Sequence, residues 1–233
     1  MRALVIVPCY NEQETIASLY REIREKTKYD VIIVNDCSTD DSRAVLLQEG
    51  IPFLDLPLNL GIGGAVQTGY RYALCKGYDI TVQVDGDGQH DPGQIDLLIA
   101  PIEQEKADLV IGSRYIGKAG YQSSVMRRVG IRIFKILIYS LSGKVITDAT
   151  SGFRAANRKT MQLFDTHYAS DYPEPESNML ALKNKLKVCE IPVTMRERQG
   201  GKSSIKALQP IYYMLKVSLG IIISSTIRLK IPK

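Results

Sequence analysis

Two short apolar runs, Ala3–Val7 and Val31–Val34, stop at turn-forming residues, Pro8 in the first case and Asn35-Asp36 in the second. Runs this short, apolar throughout, are what strands buried on both faces of a parallel sheet look like. Between them, Glu12–Lys26 sets Ile16, Leu19, Tyr20 and Ile23 on one side of a predicted helix. A helix is predicted after the cap-rich Ser38-Thr39-Asp40-Asp41-Ser42, then a strand at Phe53-Leu54, a helix over Ile62–Leu74 and a strand over Ile80–Val84. A helix over Pro92–Glu105 and a strand over Asp108–Gly112 extend the alternation. Such a chain folds as α/β, a mostly parallel central sheet flanked by helices, with ligands at the carboxyl ends of the strands.

The chain's 233 residues suffice for one large domain, and no shift in composition marks a boundary before about residue 200. Residues 1–205 are expected to form the main domain and residues 206–233 an amphipathic helical tail. The net charge of +5 hides an asymmetry. Residues 1–120 carry 11 basic and 18 acidic side chains, whereas residues 121–233 carry 19 and 7. An acidic half suits a cation, and a basic half suits a second anionic substrate or surface. Nucleic acid is the rival for the basic half, but no zinc-finger spacing, RNP motif or basic zipper is present. Cys9, Cys37, Cys75 and Cys189 show no C-x-x-C spacing, which reads as reduced thiols in a cytosolic protein. The start, Met1-Arg2 followed directly by a strand, has no signal-peptide pattern.

The predicted strand Ile80–Val84 runs into Asp85-Gly86-Asp87. Alternate residues of a strand share a face, so the two carboxylates can point together, and Gly86 lets a ligand approach the backbone. Oxygen ligands of this kind suit Mg2+ or Mn2+ carrying phosphate oxygens, although an acidic turn at a strand end has the same composition. Gly61-Ile62-Gly63-Gly64 lacks the third glycine of a dinucleotide fingerprint, which would fall at Val66. These glycines are expected to permit a tight turn or a close approach to a bound nucleotide.

Several segments coincide in order: Val7-Pro8-Cys9-Tyr10-Asn11-Glu12, Val34-Asn35-Asp36-Cys37-Ser38-Thr39-Asp40, Asn59-x-Gly61-x-Gly63, Asp85-Gly86-Asp87-Gly88-Gln89-His90-Asp91-Pro92, Gly112-Ser113-Arg114-Tyr115, Thr150-Ser151-Gly152-Phe153-Arg154 and Arg198-x-x-Gly201-x-Ser203. Through them the chain resembles family 2 glycosyltransferases of GT-A fold. The resemblance is strongest to the branch with dolichol-phosphate mannose synthase and bacterial polyprenyl-phosphate glycosyltransferases. It implies a nucleotide-sugar site at Pro8, Tyr10, Glu12, Asp36, Gly61, Asp85, Gly86 and Asp87, with Mg2+ or Mn2+ on Asp85 and Asp87. Asn35 stands where the family often has a first aspartate, while the second, Asp36, is kept. An Asx turn or helix cap is the alternative for Asp36. Asp91 reads as a further polar contact or a helix start, and His90 as a solvated or capping side chain.

In the basic half, Met126–Leu141 is apolar apart from Arg127, Arg128, Arg132 and Lys135, three of which share a helix face at i, i+4 and i+7. The tail run Ile211–Ile227 has 17 residues and one charge, Lys216. At about 1.5 Å per residue it falls short of a hydrocarbon core of about 30 Å. Both segments are expected at a membrane interface or on a partner, with anionic headgroups, a small membrane protein or a second copy as candidates. The resemblance implies an acceptor phosphate held by Arg114, Arg127, Arg128, Arg132, Ser151 and Arg198, with Arg154 and Arg198 also candidates for the donor diphosphate.

The expected reaction is inverting transfer of a hexose from a UDP- or GDP-sugar to a polyprenyl phosphate at the cytoplasmic face of the cell membrane, supplying surface glycan synthesis, with Asp85, Asp87 and Arg154 as the catalytic set. A phosphate monoester is already ionised at neutral pH, so no strong base is required. A sugar hydroxyl as acceptor would require one, for which Asp171, Glu174 and Glu176 are the candidates. A non-catalytic membrane subunit of the same fold and a nucleotidyltransferase are the other readings.

Overall fold

The computed structural model describes residues 1–116, 125–196 and 209–229, of which 125–128 and 209–211 are described as backbone only. The elements follow in the order β1 (Ala3–Cys9), α1 (Ile16–Lys26), β2 (Asp30–Asn35), α2 (Ser42–Gln48), β3 (Phe53–Asp55), α3 (Gly61–Cys75), β4 (Ile80–Gln83), a short 3-10 turn (Pro92–Gln94) and α4 (Ile95–Glu103). Then come β5 (Leu109–Ser113), α5 (Val125–Ser142), β6 (Arg154–Asn157), α6 (Arg158–Thr166), α7 (Pro173–Lys183), β7 (Val188–Pro192) and α8 (Gln209–Ser224). The strands form one sheet in the order β3-β2-β1-β4-β6-β5-β7. All pairings are parallel except those of β6, which runs antiparallel to both β4 and β5.

Strands β1, β2, β4 and β5 are buried on both faces, which is why they are largely apolar without alternation. Along β1, Leu4 and Ile6 join a core with Val66, Tyr70, Phe134, Phe164 and Ile221, under α3, α5, α6 and α8. The intervening Val5 and Val7 join Ile16, Leu19, Ile23, Leu98 and Ile99 on the opposite face, under α1 and α4. Each such side chain, fully buried, contributes about 1.5–3 kcal/mol. The predicted mostly parallel α/β sheet with flanking helices is therefore the observed one.

Two boundaries differ in ways that shape the site. The first helix begins at Ile16 rather than Glu12, because residues 10–15 form a loop locked to the loop after β2. Asn11 takes a left-handed conformation (φ 57°). Its Oδ1 accepts the amides of Thr39 and Asp40 at 2.8 and 3.3 Å, and the Glu12 amide donates to Ser42 Oγ at 2.9 Å. Likewise β4 ends at Gln83, so Asp85 and Asp87 lie in the turn beyond the strand and not on one strand face. Neither β6 nor β7 was expected from the sequence. Arg-Ala-Ala-Asn carries no strand signature, and β7 ends in a proline.

α8 packs on α7 and α5, burying Val217 and Ile221. Among the described residues, no helix is long and apolar enough to cross a membrane.

Candidate active site

At the carboxyl ends of β1, β2 and β4 lies a cleft of about 710 Å³. Its walls include Pro8, Tyr10, Glu12, Asp36, Gly61, Asp85, Gly86 and Asp87, all eight residues expected to meet a nucleotide sugar. The sequence reading missed Asn59, Ile62, Ala65 and Tyr172, which complete much of the lining. Five carboxylates border the cleft, those of Glu12, Asp36, Asp85, Asp87 and Asp171, and no Lys, Arg or His among the described residues does.

Asp36 is 2% exposed, and its Oδ1 accepts the Leu60 amide at 2.7 Å. Burial raises its pKa, opposed by the Leu60 and Gly61 amides. The carboxylate thus shapes the 59–61 loop while bordering the cleft, combining the turn role with access to a ligand. Tyr10, 46% exposed, stands at the rim as a flat apolar surface.

Among the glycines after Asn59, Gly61 borders the cleft in a left-handed turn (φ 76°), whereas Gly63 meets the chain itself. A Cβ on Gly63 would lie 1.8 Å from the Ala169 carbonyl oxygen, and the Gly63 amide donates to Ser170 O at 2.9 Å. At Gly63 the close approach is therefore made by the 169–170 backbone. It seats the next two residues, Asp171 and Tyr172, as a wall of the cleft. Behind that wall Lys216 of α8 pairs with Asp171, and Tyr213 meets Tyr172 edge-on at 4.5 Å between centroids.

Asp85 is confined from several sides. Gln83 Nε2 donates to its Oδ1 at 3.1 Å, His90 Nδ1 accepts its amide at 3.0 Å, and His90 Nε2 lies 3.6 Å from its Oδ2. Asp87 Oδ1 accepts the Gln89 amide at 3.1 Å. Among the described residues, no three His, Cys, Asp or Glu side chains form a ready-made cage. A magnesium-like ion that arrives on a diphosphate needs only one or two carboxylates, so Asp85 and Asp87 fit such an ion.

Other expectations are corrected. His90 is not solvated: it is 3% exposed and stacked on Phe153, centroids 4.7 Å apart. Of the two roles expected for Asp91 the structure shows the helix start, as N-cap of the 3-10 turn that Pro92 opens. Asp91 accepts the Gly93 amide and pairs with Arg196 at 2.7 Å and Lys26 at 3.2 Å. Arg154, expected among the catalytic residues, is 1% exposed and does not border the cleft. Its guanidinium donates to Ser151 O at 2.7 and 3.2 Å and to Ser177 Oγ at 2.8 Å, binding β6 to α7. Arg114, 5% exposed, forms a bidentate pair with Asp148 at 2.6 and 2.7 Å and reaches Thr150 at 3.0 Å. Glu190 secures the same loop by accepting the Thr147 and Asp148 amides at 2.7 and 2.8 Å. Ser151 is buried, its hydroxyl without a partner among the described residues.

Arg132 is exposed on α5, while Arg198 and the side chains of Arg127 and Arg128 lie outside the described residues. Of the three candidate bases, only Asp171 borders the cleft. Glu176 packs against Gly220 of α8, where burial pushes its pKa up to about 6. Glu174 lies in the first turn of α7, away from the lining.

The family model described as glycosyl transferase family 2 matches residues 4–164. The chain is similar to the undecaprenyl-phosphate mannosyltransferase of Micrococcus luteus, with 30% identity over 216 residues covering 88% of each chain. It is also similar to the UDP-N-acetylglucosamine–dolichyl-phosphate N-acetylglucosaminyltransferase of Methanococcus voltae, with 27% identity over 209 residues, 81% of this chain and 83% of the relative. Among solved structures, glucosyl-3-phosphoglycerate synthase of Mycobacterium tuberculosis, in complex with Mn2+, UDP-glucose and phosphoglyceric acid, superposes with a TM-score of 0.75. That superposition covers 98% of this chain and 81% of the other at 20% identity, a likeness of fold.

Proposed function

Because the chain belongs to glycosyl transferase family 2 and is a glycosyltransferase, we propose that it moves a hexose, with inversion, from a UDP- or GDP-sugar to a polyprenyl phosphate. The observation that carries this reading is the meeting of all eight expected donor residues in one acidic cleft, in a chain whose relatives are named for polyprenyl-phosphate acceptors. Tyr10 offers the base a face to lie on, and Asp36 offers a carboxylate to a base N–H. Asp85 and Asp87 would hold Mg2+ or Mn2+. Bound there, the ion would supply positive charge against the negative charge that grows on the departing diphosphate.

An acceptor phosphate is its own nucleophile, since its second ionisation near pH 6 leaves it charged at neutral pH. This agrees with the state of the candidate bases: Asp171 is engaged by Lys216, and Glu176 packs on α8 away from the cleft. Arg114, Arg132 and Ser151, with Arg127, Arg128 and Arg198, remain our candidates for the acceptor side, where arginine forks suit phosphate. In this scheme Arg154 is an internal brace that holds the 151–154 turn, not a group that touches the substrate.

We place the enzyme on the inner face of the membrane, with residues 1–205 as the catalytic domain and 206–233 as a docking tail. Manganese-dependent transfer from radiolabelled UDP- and GDP-sugars to undecaprenyl phosphate tests the reaction. An acid-labile glycolipid is expected. Intact donor binding with no lipid product, in the presence of membranes, would transfer the assignment to a glycan hydroxyl acceptor.

A further inference from the structure

On the reading that Asp85 and Asp87 hold the donor's cation, we propose that His90 is the positioning residue that fixes the direction of the Asp85 carboxylate, acting through the tautomer that carries its proton on Nε2. The backbone amide of Asp85 can only donate, and His90 Nδ1 lies 3.0 Å from it, so Nδ1 accepts and bears no proton. The ring proton is then on Nε2, which lies 3.6 Å from Asp85 Oδ2. That separation is too long for a hydrogen bond but short for an electrostatic contact. One imidazole therefore grips the same residue twice, at its main chain and beside its carboxylate.

The ring is not free to turn. It is 3% exposed and stacks on Phe153 at 15° between planes. Its backbone bridges Met195, and the adjacent Gln89 carbonyl accepts the Arg196 amide at 2.9 Å. Phe153 follows Gly152, which lies directly against the Asp85 carboxylate. The histidine, its stacking partner and the glycine beneath the carboxylate thus form one packed unit behind the two aspartates. Groups behind a cation's ligands set the orientation of those ligands, and losing one commonly costs 10–100-fold in metal affinity.

The test is Mn2+ affinity of the UDP-loaded protein, read by electron paramagnetic resonance of the free ion. His90→Phe keeps a flat ring against Phe153 but removes both nitrogens. It should weaken Mn2+ binding about tenfold or more in protein that is still folded at the assay temperature, as its thermal melt verifies. His90→Asn returns an acceptor where Nδ1 stood and should recover most of the loss. Wild-type Mn2+ affinity in His90→Phe, or no recovery in His90→Asn, would overturn the role. Asp87→Asn is the control: if it too binds Mn2+ like the wild type, the cation site itself is wrong, and His90's role falls with it. Weakened binding in Asp87→Asn beside unchanged binding in His90→Phe removes His90 alone. Should His90→Phe fail to fold, ring nitrogen NMR of the wild type decides: a proton on Nε2 supports the proposal, and one on Nδ1 overturns it.

Discussion

The Asp85 carboxylate has little room to turn, and the smallest residue in its surroundings does much to confine it. A Cβ on Gly152 would stand 2.6 and 2.8 Å from the Asp85 oxygens and 3.0 Å from Gln83 Nε2. Gly152→Ala should therefore lower stability by about 1–3 kcal/mol, the usual cost of overpacking. Thermal denaturation measures this, and an unchanged melting temperature would mean that the carboxylate yields easily. At this scale the sequence is legible where function sits on local punctuation. Pro8, Asp36 and Asp85 are found because each follows the end of an apolar run. Arg154 and Arg114 are harder to read, because an arginine in a motif looks like a phosphate ligand whatever surrounds it. Only the fold reveals that Ser151 O and Ser177 Oγ take the guanidinium of Arg154, and that Asp148 takes that of Arg114. The burial of His90 is hidden for a related reason, since its partner on the stacking side, Phe153, is remote in sequence.

Between elements, the segment after β7 is fastened to α1 and to the loop after β4 by charge. Arg196 meets Glu22 of α1 at 2.8 and 3.0 Å and Asp91 at 2.7 Å, while Lys26 meets Glu22 at 2.7 Å. Arg196, with Lys26 adding to it, holds the Glu22 carboxyl down to about 2. A carboxyl lowered in the folded state stabilises it above the unfolded pKa, and that contribution is lost as pH falls from about 4.5 towards about 2. Glu22→Gln should therefore melt below the wild type near neutral pH, with the gap closing as the solution is acidified through that window. A gap constant with pH would show that the ion pair contributes nothing through its charge. The parallel elements β1 to β5 were readable from their apolar runs, with boundaries off by a residue or two. What escaped were β6 and β7, whose pairing is decided by neighbours remote in the chain, and the loop at 10–15, where Asn11 spends its side chain on Thr39 and Asp40 instead of opening a helix.

Across the whole molecule, α5 and α8 turn apolar side chains outward. Val129, Ile133, Ile136 and Tyr139 are exposed on α5, and Tyr212, Leu215, Leu219, Ile222 and Ile223 on α8. Neither helix contains an acidic residue, and Arg132 and Arg228 are exposed beside these faces. An apolar surface accompanied by positive charge suits an anionic bilayer, where each basic residue near the surface contributes about 1 kcal/mol. Reversing Arg132 and Lys135 to glutamate should lower partition onto anionic vesicles about tenfold or more, with a smaller difference in high salt. Equal cosedimentation of the variant and the wild type would exclude this face from docking. The five carboxylates around the donor cleft have a different kind of consequence. Since no Lys, Arg or His side chain among the described residues lines the cleft, a diphosphate donor of the kind proposed above would enter together with its cation, in effect as a single ligand. Thermodynamic reciprocity then requires that whatever factor the ion adds to nucleotide affinity, the nucleotide adds to ion affinity. Cellular divalent-ion supply would thereby set how much sugar donor the protein holds.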